Sequence, residues 1–310
     1  MRALVLADFG ATPVVQDLDV PEPAEGEVRV RVRAASVNGF DLAVAGSYLR
    51  GAMEHRFPVV LGKDFAGTVD AVGPGVDGFA VGDRVFGVVT KPELGDGSFG
   101  EYVTVAESIG LAPLPEEIGY AEGAALGLAG TAAAAAVDAA ELADGSTVLV
   151  AGATGGVGSQ VVQLAVAAGA RVLATAATDA ERAHVTGLGA TEVIDHTGDV
   201  SGQVRAAYPD GIDAVVHLAG DPAPLLPVLK PQGRFVSTLL MSADQLPAGD
   251  VKVAAIYAQP VREVLDRLAA NQAGGATRVT IQRTYGLEDA PQALADFGQG
   301  TLGKLVVTVD

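Results

Sequence analysis

The chain has 310 residues, a formal net charge of −18 from 38 acidic and 20 basic side chains, four histidines and no cysteine. That length suits two domains and lets roughly three quarters of the unfolded surface be buried. The acidic balance argues against nucleic acid or an anionic membrane as partner, because both need a basic footprint. Absent thiols exclude disulfides, a thiolate nucleophile and thiolate zinc sites.

The run Met1-Arg2-Ala3-Leu4-Val5-Leu6 starts a strand and is too short for the apolar core of a signal peptide, so a cytoplasmic protein is expected. Val28–Ala34, VRVRVRA, alternates with period two, valines on one face and arginines on the other. Phe65–Val72, Arg84–Val89 and Tyr102–Val105 are further strand candidates, divided by turns such as Gly73-Pro74-Gly75. This part reads as a mostly antiparallel, barrel-like β domain. Gly123–Ala143 is mostly alanine and glycine with Asp138 inside it, and a buried helix suits it better than a membrane span.

Past Ile118 strands alternate with helices: Thr147–Ala151, helix Gly156–Ala168, Arg171–Ala176, helix Asp179–Leu188 and Glu192–Asp195. Asp213–Leu218, Gly233–Leu239, Val251–Ile256 and a helix from about Pro260 to Asn271 continue the pattern. Such alternation implies βαβ crossovers and a parallel sheet. Val279–Asp310 returns to strand, helix and strand, which suits packing back on the first domain. No two of His55, His184, His196 and His217 lie at helical ligand spacing, so no metal site is expected.

The strand Val148–Ala151 runs into Gly152-Ala153-Thr154-Gly155-Gly156-Val157-Gly158 and then into a helix. Gly155 lets a pyrophosphate approach the backbone, and Gly158 lets the helix pack closely on the strand. Free amides and the positive end of the helix dipole face the phosphates. Ala153 departs from the strict glycine fingerprint, but the strand–turn–helix context points to a dinucleotide. At the end of the second strand, Thr175-Ala176-Ala177-Thr178 stands where NAD enzymes place an acid, and Arg182 follows. A guanidinium suits the 2′-phosphate of NADP(H); Asp179 and Glu181 lie close enough to reverse that preference.

The chain resembles the quinone oxidoreductases of the zinc-free, zeta-crystallin-like branch of the medium-chain dehydrogenase/reductase superfamily. The resemblance rests on Ala35-Ser36-Val37-Asn38 with Asp41, the run Pro58–Gly67 and Val81–Val85. Gly152–Gly158, Leu188-Gly189-Ala190 before Val193-Ile194-Asp195, and Gly303–Val307 complete it. It implies an α/β protein in which a GroES-like β-rich catalytic domain, residues 1–118 with 277–310, joins a doubly wound Rossmann domain, residues 119–276. It implies hydride transfer from NADPH to a quinone or conjugated enone or enal, and a homodimer joined at the edge strand Val251–Ile256. Alternatives are an enoyl-thioester reductase and a cofactor-binding structural or regulatory protein with little turnover.

By the same resemblance Asn38 lies beside the nicotinamide, its amide free to bond a substrate carbonyl, unless it only forms a turn. Thr131 contacts the nicotinamide end or is a residue at a helix start. Ser237, Thr238 and Ala219 lie at the sheet edge where ligands bind. Lys304 reaches the cofactor or is a surface lysine, and His196 takes the place of a tyrosine near the adenosine phosphate. Tyr48 is a candidate proton donor or a half-buried tyrosine beside a helix. Lys63-Asp64 stands where zinc relatives carry His-Glu.

Overall fold

A computed structural model describes residues 1–310. The chain divides into two compact units, Met1–Thr131 with Pro260–Gly275 and Ile281–Asp310, and Ala132–Gln259 with Ala276–Thr280.

The first unit is built on the strand Glu27–Ser36, in which Val28, Val30 and Val32 are buried while their arginine neighbours turn away. It pairs antiparallel with Asp64–Val72, Tyr102–Ala106 and Lys304–Thr308. Arg84–Val88 and Leu111–Pro113 extend the seven-stranded sheet on one side, and Ile281–Gly286 ends it on the other. The last pairing is parallel, so its two strands need a crossover, supplied by the helix Ala290–Phe297. A three-stranded sheet, Val14–Asp17, Arg2–Leu6 and Val59–Val60, completes the unit. Leu4, Leu6, Val30, Phe65, Phe99 and Val307 are fully buried in its core. The short helix Gly39–Ala45, for which the sequence gives no periodic signal, follows the central strand directly.

The second unit holds a six-stranded parallel sheet in the order Glu192–Ile194, Arg171–Thr175, Thr147–Ala151, Ile212–His217, Leu229–Ser237, Lys252–Ala255. Counted along the chain this is 3-2-1-4-5-6, the doubly wound order, with its switch between the third and fourth strands of the row. Thr147–Ala151 is buried at every position. Val148 and Val150 pack with Val161, Val162 and Val185, while Leu149 and Ala151 pack with Val204, Leu225 and Phe235. Alternate residues of one strand thus feed separate apolar clusters. The helix Val200–Ala207 was not expected; Asp199 caps it by accepting from the Gly202 amide at 2.9 Å.

The helix Tyr120–Ala140 is long and apolar enough to cross a membrane by length and composition, but 72% of its most apolar window is buried inside the folded chain. The unit boundaries differ from the expected borders at 118/119 and 276/277. Residues 119–131 and 260–275 belong with the β-rich unit, and the contacts explain why. Gly110 N donates to Pro260 O at 2.9 Å, the Arg262 guanidinium lies 5.8 Å from the Phe79 ring, and Leu268 covers Gly130.

Candidate active site

In the second unit the glycine-rich turn leaves the central strand at Gly152, whose φ of +89° suits glycine. The Thr175 hydroxyl pins this turn, accepting from Gly152 N at 2.9 Å and donating to Val150 O at 3.3 Å. A Cβ at Gly158 would lie 2.1 Å from Gly152 O and 2.7 Å from Ala153 Cα, so only glycine lets the helix Gly156–Ala167 start this close to the strand. Gly155 is different: a Cβ there would meet only Gly152 O, at 3.9 Å. It is the N-cap and offers no side-chain cap, so no side chain satisfies the first amides of this twelve-residue helix. Ala219 closes the other side of the turn, its methyl 3.0 Å from where a Gly152 Cβ would stand. The residues present fit a dinucleotide pyrophosphate: backbone donors, a positive helix end and no side chain in the way.

At the end of Arg171–Thr175, Ala176 is buried and the following amides are already engaged. Glu181 accepts from Ala177 N at 2.7 Å and Thr178 N at 2.9 Å, closing a capping box with Thr178. Those two backbone bonds hold its carboxyl below the usual range. Arg182 donates from Nε to Ala177 O at 3.0 Å and from its terminal nitrogen to Asp195 Oδ2 at 3.2 Å. Bonds from Thr197 are the main reason the Asp195 carboxyl is lowered, with Arg182 contributing. His196 Nε2 lies 3.5 Å from Glu181. Arg182, Asp195, Glu181 and His196 therefore form one charged group at this strand end, in which neither an acid nor a base stands alone.

Ser237 and Thr238 take structural duties. The Ser237 hydroxyl accepts from Leu239 N at 3.0 Å and Leu240 N at 3.3 Å, so its proton points to His217 Nδ1 at 2.9 Å. His217 then carries its proton on Nε2 and donates to Gly220 O at 3.0 Å. Burial lowers the pKa of this imidazole, against the opposing pull of the Gly220 carbonyl. Thr238 N donates to His217 O at 3.3 Å.

The first unit contains a second polar group, absent from sequence reasoning as a group. Asp64, fully buried at the start of its strand, accepts from Ser36 Oγ at 2.5 Å, Asn38 Nδ2 at 2.9 Å and the Leu128 amide at 2.6 Å. Lys304 Nζ donates to Asn38 Oδ1 at 2.6 Å and Val37 O at 2.9 Å, with Asp64 Oδ2 at 3.5 Å. The second Asn38 N–H goes to Ser36 O at 3.1 Å. An ammonium can only donate, which fixes the amide orientation. Both Asn38 donors are therefore committed within the protein, and the expected free amide for a substrate carbonyl is not there. Lys304, 3% exposed, is neither a surface lysine nor directed anywhere but this cluster. Burial lowers its pKa, opposed by Asp64 and Asp41.

Asp41 sits one turn into the helix that Asn38 caps and accepts from Asn38 N at 2.8 Å. Desolvation raises its carboxyl to about 7, against the pull of that bond. Lys63 packs beside the group, donating to Val89 O at 2.6 Å with its ammonium 4.9 Å from the Phe40 ring. Burial lowers this lysine too, opposed by Asp41 and Asp64.

Two expected residues stand apart. Thr131 is interior to Tyr120–Ala140 rather than at a helix start, and its hydroxyl bonds back to Gly127 O at 2.9 Å and Leu128 O at 3.1 Å. Tyr48 is 82% exposed, not half-buried, because the left-handed turn at Ser47 swings it outward. Lys63, Asp64 and Ser36 were quoted in the sequence only as motif letters. The adjacent charges Lys63-Asp64 inside the apolar run Val59–Ala66 are the available signal, since such charges are rarely buried without partners. No group of three or more His, Cys, Asp or Glu side chains is placed to hold a metal ion.

Comparison with known proteins agrees with this geometry. Residues 24–116 match the family profile of the alcohol dehydrogenase GroES-like domain, and residues 156–257 that of the zinc-binding dehydrogenases. The quinone oxidoreductase of Lama guanicoe is 32% identical over 99% of this chain and 97% of its own. The solved quinone oxidoreductase of Coxiella burnetii shares 27% identity with a TM-score of 0.91, covering 100% of this chain and 99% of its own. A solved NAD-dependent alcohol dehydrogenase matches at 28% identity and a TM-score of 0.89, with 100% of both chains covered. The shared fold, the matching family profiles and 32% identity over nearly the whole chain together place it in the quinone oxidoreductase family of the medium-chain dehydrogenases/reductases, enzymes that bind a nicotinamide dinucleotide.

Proposed function

We propose that this oxidoreductase uses NADPH to reduce a quinone or a conjugated enone or enal, without a metal ion, as a cytoplasmic homodimer. The observation that carries the reading is the uncapped helix start beside the open face of Gly155, with Arg182 at the end of the neighbouring strand. The first receives a pyrophosphate and the second a 2′-phosphate. Bound there, a reduced nicotinamide supplies the hydride. The chain's own residues bind, orient and exclude water: the glycine turn sets the depth of the pyrophosphate, and Thr175 fixes the turn. The Asp64–Asn38–Lys304 cluster is rigid and neutralised in place, which suits a wall that orders reactants.

Calorimetric titration with NADPH and with NADH, followed by turnover over quinones, enones and enoyl thioesters, tests this. NADPH is expected to bind more tightly, and quinones or enones to turn over. Arg182→Ala should weaken NADPH by about 1.5–3 kcal/mol and leave NADH nearly unchanged, the scale of a charged hydrogen bond. Equal losses for both dinucleotides, or a preference for NADH, would overturn the NADPH assignment. Binding without turnover of any acceptor would favour a non-enzymatic role.

A further inference from the structure

Reduction of a carbonyl-conjugated acceptor places negative charge on its oxygen, and that oxygen needs a donor. The donors of the polar group in the first unit can be counted. Ser36 gives its one proton to Asp64, and Asn38 gives both amide protons to Ser36 O and Asp64. Lys304 is surrounded by Val37 O, Asn38 Oδ1 and Asp64 Oδ2. Lys63 differs. Its ammonium has one hydrogen-bond acceptor, Val89 O at 2.6 Å, and one aromatic face, Phe40 at 4.9 Å. Two of its three N–H bonds have no acceptor in the protein. Lys63 and Phe40 are also partly exposed, unlike Asn38, Asp64 and Lys304, so a ligand can reach them.

We propose that Lys63 is the donor for the acceptor oxygen, with Phe40 as the ring beside it, so that the substrate class is a planar conjugated carbonyl compound. This rests on the reductase reading above. The hydride forms a new C–H bond with its own electron pair, the carbon's π bond breaks, and the displaced π pair shifts through the conjugated system onto the oxygen. Lys63 then gives one N–H proton to that oxygen, an O–H bond forms, and water reprotonates the amine. The charged groups facing Lys63 are Asp41 on the helix Gly39–Ala45 and Asp64, the next residue in the chain, the latter already held by Lys304. Burial lowers the Lys63 pKa and so eases release of the proton, with Asp41 and Asp64 opposing that shift.

Two measurements test the assignment. In turnover, Lys63→Met should lower kcat about 100-fold, the loss found when one oxyanion donor is removed, with dinucleotide affinity unchanged. The wild-type rate should fall as pH rises through the lowered lysine pKa, below the ordinary 10.5. Lys63→Arg keeps a charged donor for the oxyanion but cannot give up its proton, so it should turn over nearly as slowly as Lys63→Met and show no alkaline fall. Separately, 4-nitrophenolate, an aromatic oxyanion, should bind the dinucleotide-free wild type at least about tenfold more tightly than Lys63→Met, as a charged bond predicts. Equal binding of 4-nitrophenolate to both would overturn the proposal, as would Lys63→Met with wild-type kcat and pH profile. A wild type that turns over no acceptor but discriminates in the 4-nitrophenolate titration would sink the reductase reading while leaving Lys63 as the oxyanion site.

Discussion

Asp41 and Asp64 are both buried carboxyls bonded to Asn38, yet their surroundings differ. Asp64 accepts three hydrogen bonds and faces an ammonium; Asp41 accepts one backbone bond and is otherwise desolvated. Asp41 therefore titrates near 7 in the folded chain against 3.8 unfolded. A raised carboxyl binds its proton better when folded, so its contribution is fully present below 3.8 and is lost as pH rises to about 7. By linkage the loss is on the order of 4 kcal/mol. Asp41→Asn keeps an acceptor for Asn38 N and removes the titration. Urea unfolding across this range should show a pH slope in the wild type that the variant lacks; parallel slopes would refute it. Asp64→Ala should cost about 3–5 kcal/mol, because it strands the Lys304 ammonium in the interior. A urea midpoint within about 1 kcal/mol of wild type would contradict that. At this scale the sequence points to Asn38, Lys304 and the glycines, but not to their partners. Asn38 and Lys304 are 266 residues apart, and nothing local encodes the bond between them.

At the scale of elements, the glycine turn separates packing from binding. Gly158→Ala forces a methyl against Gly152 O and Ala153, so the helix must shift off its strand; stability should fall by about 1–3 kcal/mol. Gly155→Ala adds a methyl to open space at an ordinary φ of −71°, so the melting temperature should hold while the pyrophosphate loses its approach. Thermal unfolding with dinucleotide titration should therefore split the pair, and a Gly155→Ala protein that binds normally would remove the pyrophosphate from this turn. The strands here were legible because burial enforces their pattern. Val28–Ala34 alternates since one face is core, and Val148–Ala151 is uniformly apolar since both faces are covered. The helices Gly39–Ala45 and Val200–Ala207 were not, being short, polar at their starts and fixed by caps and tertiary packing rather than by period. Pro260–Gly275 falls within the β-rich unit, which the alternation cannot show: it tells that a helix follows a strand, not which core its Leu265 and Leu268 enter.

For the molecule as a whole, the six-stranded sheet ends on one side at Glu192–Ile194, only three residues long, and on the other at Lys252–Ala255. The latter is paired with Leu229–Ser237 alone, and an open strand edge is a template for another strand. Apolar side chains cluster in the adjoining sequence: Leu239, Met241 and Tyr257 are each more than half exposed, and the Tyr257 hydroxyl donates to Met241 O at 2.5 Å. The proposed homodimer would join two such edges. Ile256 N bonds inward to Ser237 O, so by alternation the Ala255 amide points outward. Ala255→Pro removes that one outward donor and leaves the inward ladder intact, a position where an edge strand tolerates proline. Sedimentation should show a dimer for the wild type and a monomer for Ala255→Pro, with the same circular dichroism. A monomeric wild type would end the dimer proposal, and a dimeric Ala255→Pro would move the interface away from this edge. The net charge of −18 works against any association of two copies, so the dimer should tighten as added salt screens that repulsion.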